Sequence, residues 1–123
     1  MASALYEELG ESFFIDLVDA FYGEVETDPL LRPMYPEDLT ESKRHLRLFL
    51  IQYWGGPTTY GEERGHPRLR MRHVAFTIDD EARATWLRAM RSAMATLADS
   101  MTPAQIRELD DYFVMAATTL KNA

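Results

Sequence analysis

Apolar residues recur at helical spacing along almost the whole chain, and no run alternates as a strand would. From Ser12, the residues Phe14, Leu17, Val18, Phe21 and Val25 follow the i, i+3, i+4, i+7, i+11 pattern of an amphipathic helix, which Asp28-Pro29 stops. Pro29, Pro33 and Pro36 then confine Leu30 to Tyr35 to a tight, irregular corner. A second helix is expected from near Thr40, with Leu46, Phe49, Leu50, Tyr53 and Trp54 on one side, ended by Gly55-Gly56-Pro57. Thr58 to His66 is polar, carries Gly61 and Gly65, and reads as a long loop of little order; Pro67 suits the first position of a short basic helix. Asp79 or Asp80 suits the cap of the next helix, with Glu81 in its first turn and Trp86, Met90, Ala93, Met94 and Leu97 as its apolar face. Thr102-Pro103-Ala104-Gln105 has the form of a capping box, and Ile106, Leu109, Phe113, Ala116, Ala117 and Leu120 make the last stripe. The fold class is therefore all-α.

At 123 residues the chain is long enough for one domain with a real core and too short for two, so residues 1–123 are read as a single domain. A formal net charge of −7 opposes general binding to nucleic acid or to anionic membranes, both of which need a positive field. There is no cysteine, hence no disulfide framework. Met1-Ala2-Ser3-Ala4 lacks a basic region followed by an apolar run, and no segment approaches the roughly 20 apolar residues of a membrane span. A cytoplasmic location is expected. The charge permits a monomer, while apolar residues left over from the stripes, such as Leu31 and Met101, would equally serve a homo-oligomer.

Against this acidic background, Arg64 to His73 holds four of the thirteen basic residues and two of the three histidines. If Pro67 opens a helix, Leu69, Arg72 and His73 fall near one side, with His73 close to Phe76 and Ile78, and Arg68 and Arg70 are left to meet an anion. An imidazole aimed at an apolar pocket with guanidinium groups at its rim suits haem, a flat apolar macrocycle with a metal centre and carboxylate edges. The same cluster also fits a solvated face or a nucleic-acid patch, and a lone histidine is more often a surface or hydrogen-bonded residue than a ligand. Zinc is disfavoured, because His66 and His73 are separated by Pro67 and there is no His-Glu-x-x-His. The spacing permits one axial histidine without showing it.

Taken together, Phe21-Tyr22, Met34 to Asp38, Leu46 to Leu50, Gln52-Tyr53-Trp54-Gly55-Gly56-Pro57, Gly65 to His73 and Trp86-Leu87 resemble the truncated haemoglobins of group II, the O-type. These segments stand in the family's order and span nearly the whole chain, with Gln52–Pro57 and Gly65–His73 the specific ones. The resemblance implies a two-on-two helical sandwich around haem b, with His73 as the proximal iron ligand. It implies Trp86, Tyr35 and Tyr22 as hydrogen-bond donors to a distal ligand, and Ser42 at the gate of the distal pocket. His45 falls where a basic residue often approaches a haem propionate, although a histidine is shorter and only partly charged near neutrality. Arg70, helped by Tyr60 or Arg68, is the expected propionate anchor, and Leu46, Phe49, Phe76 and Met90 are expected to line the macrocycle. The chain departs from the family in having Gly10-Glu11 where a glycine pair often follows the first short helix.

Three functions fit these residues. The first, favoured here, is a haem protein that reversibly binds O2, CO and NO with high affinity, as an oxygen carrier, store or sensor. The second is a redox enzyme, an NO dioxygenase or peroxidase-like protein, which would need a separate reductase because no flavin or nicotinamide domain is visible. The third is a haem-free helical interaction module that docks through the arginine cluster.

Overall fold

The computed structural model describes residues 4–68, 71, 73 and 76–123, and among these none is in a strand. In chain order the helices are α1 (Leu5–Leu9), α2 (Glu11–Thr27), α3 (Thr40–Tyr53), α4 (Thr59–Arg64), α5 (Asp80–Ala95) and α6 (Pro103–Leu120), with short 3-10 turns at Arg32–Met34 and Ala98–Ser100. Helix α2 packs on α3 and on α5, and α5 packs on α6, which gives the two-on-two sandwich.

Helix α2 buries the whole stripe expected of it, and α5 and α6 bury part of theirs. Phe14, Leu17, Val18, Phe21 and Val25 of α2 are all buried, joined by Phe13 and Tyr22. Met90, Ala93 and Met94 of α5 and Leu109, Phe113 and Ala117 of α6 face them. Rings link the layers: Phe14 lies 6.1 Å from Trp54, Trp54 5.9 Å from Phe113, Phe113 5.8 Å from Trp86, and Trp86 5.5 Å from Phe21. These separations suit edge-on and offset aromatic packing.

Local chemistry sets the helix ends. Helix α3 closes in a Schellman turn, in which Gly56 N–H donates to Ile51 C=O at 2.8 Å and Gly55 N–H donates to Gln52 C=O at 3.2 Å. Gly55 takes φ 92°, which a side chain would strain. A Cβ on Gly56 would lie 2.5 Å from Ile51 and 2.8 Å from the Tyr6 ring, so this turn needs both glycines. The turn in turn holds α1, because Tyr6 N–H donates to Trp54 C=O at 3.0 Å. At the α1–α2 corner Gly10 alone supplies the positive φ, 84°, and no second glycine is needed. Asp79 caps α5 by accepting from Ala82 N–H at 2.9 Å, and Thr102 and Gln105 form the reciprocal capping box of α6.

Three expectations are corrected. Thr58–His66 is not a loop of little order, since residues 59–64 form α4. Its two glycines and polar composition hide tertiary support: Gly61 N–H donates to the Gln52 side chain at 2.8 Å, Arg44 and Glu63 pair through two bonds of 2.7 and 2.6 Å, and Tyr60 is buried against Phe49. Tyr53 does not join the buried side of α3 and is 46% exposed, because its ring lies on Tyr112 with centroids 4.2 Å apart while Ile51 takes the inner place. Leu31 is not left over for a partner, being 2% exposed within the core, and Met101 packs against the same core. The helix expected from Pro67 falls largely on residues outside those described; Pro67 and Arg68 themselves are non-helical, with Arg68 at φ 46°. No described helix is long and apolar enough to cross a membrane.

Candidate functional site

Between the layers lies a cavity of about 390 Å3, within the usual range for small-molecule and cofactor sites. Its apolar wall includes Phe21, Leu31, Leu46, Phe49, Leu50, Phe113 and Ala117. Polar side chains enter from several elements, and none of the described ones is a carboxylate.

One group of donors comes together from three places in the sequence. Tyr22 projects from α2, 4% exposed, because it sits at the edge of the stripe beside Phe21. Tyr35 is brought to it by the corner after α2. There Asp28 accepts from Leu30 and Leu31 N–H at 2.9 and 3.0 Å, and Arg32 donates to the carbonyls of Pro36 and Glu37 at 3.0 and 2.8 Å. The two phenol rings meet edge-on, 5.4 Å apart. Trp86 arrives from α5, and its indole N–H comes close enough to the Tyr35 hydroxyl to favour the ionised phenol. Burial pushes the Tyr35 phenol up to about 12, only partly offset by that indole N–H, and burial beside Tyr35 raises Tyr22 as well. Both hydroxyls therefore keep their protons far beyond neutral pH.

His73, Phe76 and Ile78 form the wall contributed by the segment ahead of α5, where Phe76 N–H donates to His73 C=O at 3.0 Å. Ser42, His45 and Arg64 line a polar, part-exposed side. Arg64 lies 2.9 Å from the His45 ring and over the Tyr60 face at 5.8 Å, and His45 also approaches Glu41 at 3.5 Å.

The residues expected at a site thus divide. Tyr22, Tyr35, Trp86, Ser42, His45, Leu46, Phe49, Tyr60, His73 and Phe76 all border this cavity. Met90 does not; it is fully buried between the helices, since its position on α5 points into the core rather than the cavity. Arg68 is exposed, with its N–H donating to the His66 ring at 3.1 Å, and does not reach the wall. Arg70 lies outside the described residues. Arg64, Arg83, Tyr112 and Ala116 border the cavity without having been expected there. Tyr112, Ala116 and Leu120 are spaced i, i+4, i+8, a signal the sequence did carry. Arg64 stands four residues after Tyr60, but that pairing is visible only once α4 is known to be helical.

Among the described residues no carboxylate lines the cavity, and no group of three or more metal-ligating side chains occurs. Its form is that of a helical protein with a largely apolar pocket, bordered by two imidazoles, His45 and His73, by hydroxyl and indole groups, and by the guanidinium groups of Arg64 and Arg83. The comparisons agree with that class. The family model for bacterial-like globins matches residues 4–119. A group 2 truncated haemoglobin of Bacillus subtilis is 50% identical over 92 residues, 75% of this chain and 70% of its own length. The solved structure of a thermostable haemoglobin from Thermobifida fusca is 49% identical with a TM-score of 0.89, covering 98% of each chain. The truncated oxygen-avid haemoglobin from Bacillus subtilis is 41% identical with a TM-score of 0.91, covering 98% of this chain and 100% of its own. The chain belongs to the bacterial-like globin family and, within it, to the group II truncated haemoglobins.

Proposed function

We propose that this protein holds haem b in the cavity through His73 and binds O2 reversibly and tightly, with CO and NO as further ligands. The observation that carries the reading is the convergence of Tyr22, Tyr35 and Trp86 on one cavity that also has His73 in its wall. Haem iron bound by a single neutral imidazole supplies an open coordination position for a diatomic gas. The protein's own groups do the rest. Trp86 donates only, and the protonated hydroxyls of Tyr22 and Tyr35 are further donors for a ligand that carries partial negative charge. Each such bond contributes on the order of 1 to 3 kcal/mol, and 1.4 kcal/mol is about tenfold in an equilibrium constant. Two donors slow O2 loss by roughly a hundredfold or more, which suits holding oxygen better than delivering it. The oxygen-avid character of the similar truncated haemoglobin from Bacillus subtilis points the same way.

The donor set fits the carboxylate edges of haem as well as its face. Arg64, with His45 and Tyr60 beside it, is placed to hold a propionate, a role the sequence suggested for Arg70 and Arg68. Arg64→Ala is expected to speed haem loss about tenfold, equivalent to about 1.4 kcal/mol. Capture of released haem by an excess of a competing apoglobin measures it; an unchanged rate removes Arg64 from the anchor.

The function itself is tested by mixing the reduced protein with O2 and following its dissociation after O2 is scavenged. A slowly decaying oxygenated form supports oxygen holding. Rapid loss of that form on adding NO, with turnover when a reductase is supplied, would move the assignment to an NO dioxygenase with a separate reductase partner.

A further inference from the structure

The segment between His73 and α5 carries cavity wall but has no strand beside it, so its backbone groups must find partners elsewhere. Asn122, just beyond α6, supplies them. Ile78 N–H donates to Asn122 Oδ1 at 2.7 Å, Asn122 Nδ2 donates to Phe76 C=O at 2.8 Å, and Asn122 N–H donates to Ile78 C=O at 2.9 Å. A primary amide matches a peptide group, with one acceptor and a donor in the same plane, which is why an asparagine makes this clamp. Its neighbours brace it: Lys121 Nζ lies 3.1 Å from Asp80, and Arg83 donates to Thr118 at 3.1 Å. The clamped stretch is fixed at both ends. Phe76 N–H closes a turn on His73 C=O, and Ile78 leads directly into Asp79, the cap of α5. Phe76, Ile78 and His73 border the same cavity.

We propose that Asn122 is a positioning residue for His73, its amide clamp on Phe76 and Ile78 fixing where the imidazole stands in the cavity wall. This rests on the reading of His73 as the iron ligand. Outer groups that orient a histidine ligand commonly act through its ring nitrogen; here the hold is on the backbone that carries it.

The test is the iron–histidine stretching band of the haem-loaded ferrous protein, read by resonance Raman, together with hydrogen exchange at the Ile78 amide in the apoprotein. Asn122→Ala is expected to shift and broaden the band and to speed Ile78 exchange at least tenfold. Asn122→Asp keeps the acceptor for Ile78 and loses the donor to Phe76, so it should fall between, and it serves if the alanine variant does not fold. Thr102→Ala, which removes the cap at the other end of α6, should lower Tm and leave the band in place. A band unmoved in both Asn122 variants while Ile78 exchange accelerates overturns the positioning role. Unchanged exchange overturns the clamp itself. If the wild-type protein shows no iron–histidine band, or His73→Gly retains it, the ligand reading has failed and the positioning role fails with it. The exchange result then reports on the clamp separately.

Discussion

His73→Ala is expected to cost the protein its haem. The imidazole is the only described side chain of the Gly65–His73 stretch that borders the cavity. Removing it leaves the macrocycle held by apolar packing and by the Arg64 side of the rim. Loss of a coordinate bond should speed haem dissociation on the order of a hundredfold or more, which corresponds to at least about 2.8 kcal/mol. The fold should survive, because His73 is only part-buried and stands outside the apolar cluster of α2, α3, α5 and α6. Added imidazole should restore a bound spectrum in His73→Gly, filling the space that the side chain leaves. Haem retained at the wild-type rate in the alanine variant would place the axial ligand elsewhere.

Trp86→Phe should give the second-largest effect, on the ligand rather than on the cofactor. A phenyl ring stays aromatic beside Phe21 and Phe113, which pack on the indole at 5.5 and 5.8 Å, and it removes the indole N–H along with one of the two fused rings. That N–H is the donor proposed for the ligand, and it lies close enough to the Tyr35 hydroxyl to influence its proton. Losing one donor is expected to raise the O2 dissociation rate by about tenfold or more, for a bond of about 1.5 kcal/mol. Stopped-flow dissociation measures it, with CO association as the control for access to the cavity. Unchanged O2 kinetics would take Trp86 out of the ligand's surroundings and leave it as an aromatic of the core.

Much of this architecture is written in local chemistry. The stripes of α2, α5 and α6, the Gly55-Gly56 turn and the Thr102–Gln105 box each depend on residues within a few positions of one another, so periodicity and capping rules find them. What escapes is set by distant partners. Helix α4 is short, polar and interrupted by Gly61, and it stands because Gln52 and Arg44 on α3 reach across to it. Tyr53 has the right spacing for the inner face of α3 but is drawn out onto Tyr112. The cavity shows the same limit more sharply. Leu46 and Met90 are equally good stripe residues, yet one borders the cavity and the other is sealed in the core. Helical spacing tells which face turns inward, and gives no sign of where the interior is hollow. Tyr22, Tyr35 and Trp86 were legible only as a set, through their likeness to a family, because no periodicity joins a helix edge, a proline-bound corner and a second helix. Arg64 lay in view within the basic cluster and was missed because its helix was.

The most direct test of the account is a haem titration of the apoprotein, followed by the absorbance spectrum of the reduced form before and after exposure to air. The account predicts uptake of one haem per chain, a five-coordinate ferrous spectrum with His73 as sole axial ligand, and a lasting oxygenated spectrum once O2 is admitted. Failure to take up haem stoichiometrically, or a ferrous form already closed by a second protein ligand, would contradict it.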